Sequence, residues 1–171
     1  MPNWCECDLK VKGPAARVRE FVEFAAGEDR GEVRPLDFNK FVPYPAEYRE
    51  RDNRFAVWLE NPNLQLPIPE DGFNSGGNDW RIKNWGTQWN AARFAPVTER
   101  ESRGRLIVLI AFSTAWSPPC PVILNAAERF PELSFDLRYN EFLAGFCGRY
   151  VCRTGKVVHN KFRDYSDTRT D

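Results

Sequence analysis

The segment RLIVLIAFST, residues 105–114, constrains the fold more than any other part of this chain. Its apolar side chains fall on both alternating sets of positions. A strand like that is covered on both faces, so it sits centrally in a sheet. The apolar core of the run, LIVLIAF at 106–112, is far too short to cross a bilayer. The rest of the chain must therefore supply flanking strands and covering layers.

Those partners are legible by period. WCECDLKV, 4–11, alternates, with Cys5, Cys7, Leu9 and Val11 on one face and Glu6, Asp8 and Lys10 on the other; that is a strand with one buried face. Gly13-Pro14 ends it and opens a helix whose Val18, Phe21, Val22 and Ala25 form one apolar stripe, with Gly27 as the stop. SPPCPVILNAAERFP, 117–131, predicts a second helix with Ile123, Ala126, Ala127 and Phe130 as its stripe. LSFDLRYN, 133–140, alternates again, with Leu133, Phe135, Leu137 and Tyr139 inward. FLAGFCGRYVC, 142–152, and VVHNKF, 157–162, predict a hairpin turning at Thr154-Gly155, and Gly145 and Gly148 imply a bulge or a close approach in its first arm.

Between the first helix and the central strand the pattern breaks. Residues 31–77 carry ten prolines and glycines, yet Phe38, Phe41, Tyr44, Phe55, Trp58 and Leu59 are interleaved with them. So many large apolar groups imply an ordered excursion, with a short helix near 52–60 and another at 79–85 that Gly86 ends. TQWNAARF, 87–94, is predicted as the strand that pairs with 105–114 across a polar loop, APVTERESRG. The order β-α-(excursion)-β-β-α-β plus a terminal hairpin predicts a ferredoxin-like α+β sandwich: one antiparallel sheet with two helices on one face. The chain is expected to be a single domain over 1–171, with an insertion at 31–86 and a polar tail at 163–171.

MPNWCECDLKVKG at 1–13, WGTQW at 85–89, FSTAWSPP at 112–119, FPELSFDLRYNE at 130–141 and GFCGRY at 145–150 together resemble the YubB-type ferredoxin-like family of phage, plasmid and bacterial proteins. The resemblance runs from residue 1 to about 160. Gln88 stands where that family's Trp-Gly-Thr-x-Trp block usually has Lys. It implies the fold and a mobile-element setting, and no activity, since that family has no settled one.

Composition narrows the chemistry. Lys+Arg and Asp+Glu number 24 each, so no global field selects a nucleic acid or an anionic membrane. Arg17, Arg19, Arg81, Lys83, Arg153, Lys156, Lys161 and Arg163 could still form local patches. The central strand lacks the basic-Gly-aromatic signature of RNA-binding RRM domains. An odd count of five cysteines and no signal-peptide pattern predict reduced thiols and a cytoplasmic address. Cys5, Cys7, Cys147 and Cys152 lack metal-knuckle spacing and are expected to be core, with no metal and no cofactor. His159, the sole histidine, is expected on the surface. Cys120, at a helix N-terminus, could have a lowered pKa but has no visible base. Glu6, Asp8, Asp136 and Arg138 lie on the polar sides of two strands and are expected to pair across the sheet.

Trp80, Trp85 and Trp89 have two compatible readings: a lid over the sheet face that the helices leave open, or a shelf stacking a base or sugar with Arg81, Lys83 and Asn84 holding its polar parts. The expected function is a non-enzymatic binding module with no catalytic residue. Its aromatic groove would draw on Asn3, Trp4, Trp80, Arg81, Asn84, Trp85, Thr87, Trp89, Trp116 and Glu141, take a protein or nucleic-acid partner, and involve no membrane. The alternative is a small enzyme acting on a nucleotide or related metabolite with Asp79, Glu6, Asp8 or Glu141 beside Arg81; a third possibility is a packing role in a larger phage assembly.

Overall fold

The computed structural model describes residues 2–29, 31–61 and 67–165. Among the described residues, eight strands and four α-helices follow one another as β1 (Trp4–Pro14), α1 (Ala15–Ala25), β2 (Gly27–Asp29), β3 (Glu32–Arg34), α2 (Ala46–Glu60), α3 (Asn78–Trp85), β4 (Thr98–Ser102), β5 (Arg105–Ala115), α4 (Cys120–Arg129), β6 (Ser134–Glu141), β7 (Phe146–Arg153) and β8 (Lys156–Asp164). Six strands form one antiparallel sheet in the order β4-β5-β1-β6-β7-β8, while β2 and β3 make a separate small ribbon. β1-α1-β4-β5-α4-β6 is the ferredoxin-like core, and β7–β8 extends it at the β6 edge.

Alternation places the core. Cys5, Cys7, Leu9 and Val11 of β1 are buried, as are Leu106, Val108, Ile110 and Phe112 of β5 and Phe135, Leu137 and Tyr139 of β6. The stripes of α1 (Val18, Phe21, Ala25) and α4 (Ile123, Ala126, Ala127) join the same cluster. Phe21 packs edge-on against Phe135 and Phe130, with ring centroids 5.3 and 5.6 Å apart. One sheet face is thus roofed by helices. The other carries Glu6, Asp8, Lys10 and Lys12 outward, all exposed.

Three expectations need correction. The strand beside β5 is Thr98–Ser102, whereas 87–94 holds one isolated bridge, Ala92↔Ser113. Every residue of β4 is exposed, so no apolar alternation marks it, and Arg103-Gly104, both at positive φ (50° and 72°), closes its hairpin with β5. The stretch 87–94 cannot continue as a ladder, because Arg93 sits in the left-handed region at φ 54° and the Asn90 carboxamide is engaged with Phe38 N and Asp37. Second, the helix expected near 52–60 runs from Ala46 to Glu60. Third, Arg163 and Asp164 belong to β8; residues 166–171 of the expected tail lie outside the described residues, as do 62–66 of the expected insertion.

Thr154-Gly155 does turn the terminal hairpin, with φ 49° and 70°. Gly148 meets the expectation of close approach: a Cβ there would collide with the Tyr139 hydroxyl and lie 2.6 Å from Lys161 O. Among the described residues no helix is long and apolar enough to cross a membrane.

Candidate binding face

The structure divides the predicted groove residues among three places. The first is a helix-side aromatic cluster. Trp85 is 2% exposed, and its indole N–H donates to Val42 O at 2.8 Å. It meets Phe38 edge-on at 5.8 Å, and Phe38 in turn meets Phe112 of β5 at 6.4 Å. Phe112 points to the helix-covered face, since it stands opposite buried Cys7. Trp80 and Trp85 therefore pack beside the helical roof and do not cover the open face. Gly86, at φ 81°, ends α3 where a Cβ would lie 2.7 Å from Pro121 Cδ of α4, so the turn lets α3 close against that helix.

Arg81 sits in the same cluster. Its guanidinium lies 4.0 Å from the Tyr44 ring centroid and bridges to Asp52 at 3.2 Å. Burial pushes the Tyr44 phenol up to about 12. Asp52 also accepts from Phe73 N at 2.7 Å, tying α2 to the lead-in of α3. The Asn84 carboxamide is spent on Trp80 O at 2.7 Å within its own helix. These groups hold the excursion together.

Glu141 is the second place. It is 1% exposed, and its carboxylate accepts the backbone N–H groups of Leu143 and Ala144. It pairs in register with Cys5, on the helix-side face, and shapes the turn into β7. It does not share the surface on which Trp4 projects.

The third place brings together Asn3, Trp4, Thr87, Trp89 and Trp116. Trp89 bridges the other two indoles, edge-on to Trp4 at 5.9 Å and to Trp116 at 5.5 Å. Trp4 has the parity of Glu6 and Asp8, so it stands on the open side; Ala115 directly across from it is fully buried. Thr87 Oγ1 donates to Ala115 O at 2.7 Å, and Trp116 N donates to Asn3 O at 2.9 Å, which pins the segment 87–89 to the strand ends. Arg93, absent from the predicted set, lies 4.1 Å over the Trp4 ring. Arg93 and Trp116 both adopt the left-handed region, at φ 54° and 64°. That conformation costs a bulky residue roughly 1–3 kcal/mol and persists where surrounding contacts enforce it. Trp89 and Trp116 are each 37% exposed, so the trio caps one end of the open face and still shows ring surface.

Beyond the trio no helix among the described residues lies over the face. A concavity of about 420 Å³ is lined by Asp8, Lys10, Pro96, Thr98, Leu109, Ala111, Asp136 and Arg138. The expected cross-sheet pairing is set by register: Asp8 faces Arg138 and Lys10 faces Asp136. The Arg149 fork bonds Asp136 at 2.8 and 2.7 Å, and that bonding holds the Asp136 carboxyl below its usual range. Arg149 gave no signal of its own in the sequence; alternation from Arg138 through a known register would have found it. A second hollow of about 380 Å³ is lined by Arg138, Cys147, Gly148, Arg149, His159, Lys161 and Arg163. His159 is exposed there. Cys5, Cys7 and Cys152 are buried, and burial pushes the Cys120 thiol up to about 12, which outweighs its place at a helix N-terminus.

A four-stranded antiparallel core with two helices on one face, an appended hairpin and a partly capped open face defines a ferredoxin-like α+β protein. The chain belongs to the Api92-like family: the model of the ferredoxin-like domain in Api92-like protein matches residues 84–170. The crystal structure of a protein api92 from Yersinia pseudotuberculosis is similar over 95% of this chain and 98% of that one, with a TM-score of 0.57 and 11% identity. At that identity the likeness speaks for the fold alone. No curated protein matches the chain.

Proposed function

We propose that this protein is a non-enzymatic binding module that receives its partner on the open face of the sheet. The reading takes the chain as one domain over 1–171 with the excursion 31–86 inserted, and extends the YubB-type resemblance to a mobile-element origin and a cytoplasmic setting. The observation that carries it is the Trp4–Trp89–Trp116 trio. Strain at two non-glycine residues, Arg93 and Trp116, is tolerated where it keeps indole surface exposed on a face that no helix covers. Carboxylate chemistry is less well supported. The displaced carboxyls, Glu132 and Asp136, both sit low; the first is held mainly by its backbone hydrogen bonds and then by Arg17, the second by Arg149. A general acid would need the opposite shift.

The test is retention of a host-extract partner, with and without nuclease, by wild type and by the Trp89→Ala/Trp116→Ala double variant. Partner loss in a variant with wild-type circular dichroism is expected. Undiminished retention by the double variant refutes the reading.

A further inference from the structure

Resting on that reading, we infer that the basic strip Arg138–Arg149–Lys161–Arg163 on the open face is the seat of a phosphodiester backbone, and that the partner is a single-stranded nucleic acid. Register puts the strip together. Arg138 of β6 stands opposite Arg149 of β7, which stands opposite Lys161 of β8, and Arg163 lies two residues along β8 from Lys161. Strands lie about 4.8 Å apart and alternate residues about 6.7 Å apart, so the four cations form a compact patch. They line one hollow of about 380 Å³.

The carboxylate at the strip is Asp136, already engaged by both arms of Arg149. Arg138, Lys161 and Arg163 have no carboxylate at ion-pair distance among the described residues. Four cations with one bonded carboxylate among them keep an excess of like charge that repels itself, and a polyanion relieves that repulsion. A chain whose charges cancel overall thus gathers an excess of cations at this hollow. Asp8, facing Arg138 across the β1–β6 ladder, bounds it on the β1 side.

The strip shares its face with groups suited to bases. Asn140 shares its face and accepts the Tyr165 phenol O–H at 2.8 Å. The Trp4–Trp89–Trp116 trio closes the same end of that face. Cations for a backbone beside flat rings for bases is the combination by which proteins hold single strands without reading sequence, since every base offers a stacking face. A duplex keeps its bases stacked inside and would reach the cations alone. An acidic protein segment would satisfy the cations and leave the indoles unused.

The test uses the full chain and a fluorescein-labelled oligothymidylate, a duplex of equal length and polyglutamate as probes. Oligothymidylate is expected to bind with an affinity that falls with salt, at a slope of about 0.7 per neutralised phosphate. Arg138→Gln/Lys161→Gln should reduce that slope by roughly 1.4, and Arg54→Gln/Lys83→Gln, with the same charge change on the excursion, should leave it unaltered. Bound oligomer should also slow alkylation of Cys147, which lines the hollow. The inference is overturned if oligothymidylate does not bind, if duplex or polyglutamate binds as tightly, or if the control pair weakens binding equally. Tight polyglutamate binding would still leave the open face a binding face. Oligomer binding insensitive to Trp89→Ala/Trp116→Ala would keep the strip and sink the aromatic part of the proposed function.

Discussion

Trp85 and Trp89 lie four residues apart in one aromatic-rich block, and the structure assigns them opposite jobs. Trp85→Ala removes an indole that is 2% exposed, its hydrogen bond to Val42 O, and edge or tilted contacts to Phe38, Tyr44 and Trp80, each at 5.8 Å. Truncating a buried Trp costs about 3–5 kcal/mol, of which roughly 1 reflects the orphaned carbonyl. Trp89→Ala removes a ring that is 37% exposed, with two edge contacts worth about 0.5–1.5 kcal/mol each, so its cost should be about 1–3 kcal/mol, toward the low end for a ring so exposed. Urea unfolding followed by far-ultraviolet circular dichroism measures both. In a chain this size each kcal/mol moves the melting temperature by about 2–4 °C, so Trp85→Ala should melt roughly 10 °C below wild type. Equal losses in the two variants, or a loss under about 1 kcal/mol for Trp85→Ala, would refute the assignment of Trp85 to the helix-side core.

Gly148→Ala should destabilise by about 2 kcal/mol or more in the same unfolding assay, because the added methyl meets the Tyr139 hydroxyl and Lys161 O, whereas Gly104→Ala, in open space at φ 72°, should cost only about 1–2 kcal/mol of backbone strain. Iodoacetamide at pH 8 followed by mass mapping should modify half-buried Cys147 ahead of Cys120, whose thiol burial pushes up to about 12, and should reach Cys5, Cys7 and Cys152 only on unfolding. Asp136 is held below its ordinary value when folded, so its contribution is complete above the unfolded value of about 3.9 and fades as pH falls through the lower folded one. The stability gap between wild type and Asp136→Asn should therefore narrow below about pH 4; a gap that widens on acidification would contradict the Arg149 fork.

The core of the fold is written in short-range periodicity. Cys5-Cys7-Leu9-Val11 repeats every second residue and Val18-Phe21-Val22-Ala25 every turn, and both patterns follow from one buried face. The failures have equally physical origins. Thr98–Ser102 is an edge strand with no buried side chain, held by its backbone ladder, so hydrophobic pattern cannot find it. The block at 78–90 shows the complementary limit. Burial of an indole is readable from its bulk, but the layer it joins depends on where a long excursion returns to the sheet. Here Asn90, Asp37 and Phe38 fix that return by side-chain bonds that no period announces.

Charge on the open face follows the same division between parity and register. The outward set of β6, with Asp136 and Arg138, is plain from alternation, and so is the outward Lys161 of the last strand. What alternation lacks is the offset between strands. A one-residue slip of β7 would turn Arg149 to the helix side and bring its neighbours outward. The register is fixed instead by the 146–153 pairing to β6, where Gly148 must sit under the Tyr139 hydroxyl because a larger residue cannot. That one glycine therefore sets which cations share a surface. Gly148→Ala, if it slips the hairpin and not merely loosens it, should scatter the strip, and with it the salt-dependent binding predicted for Arg138 and Lys161.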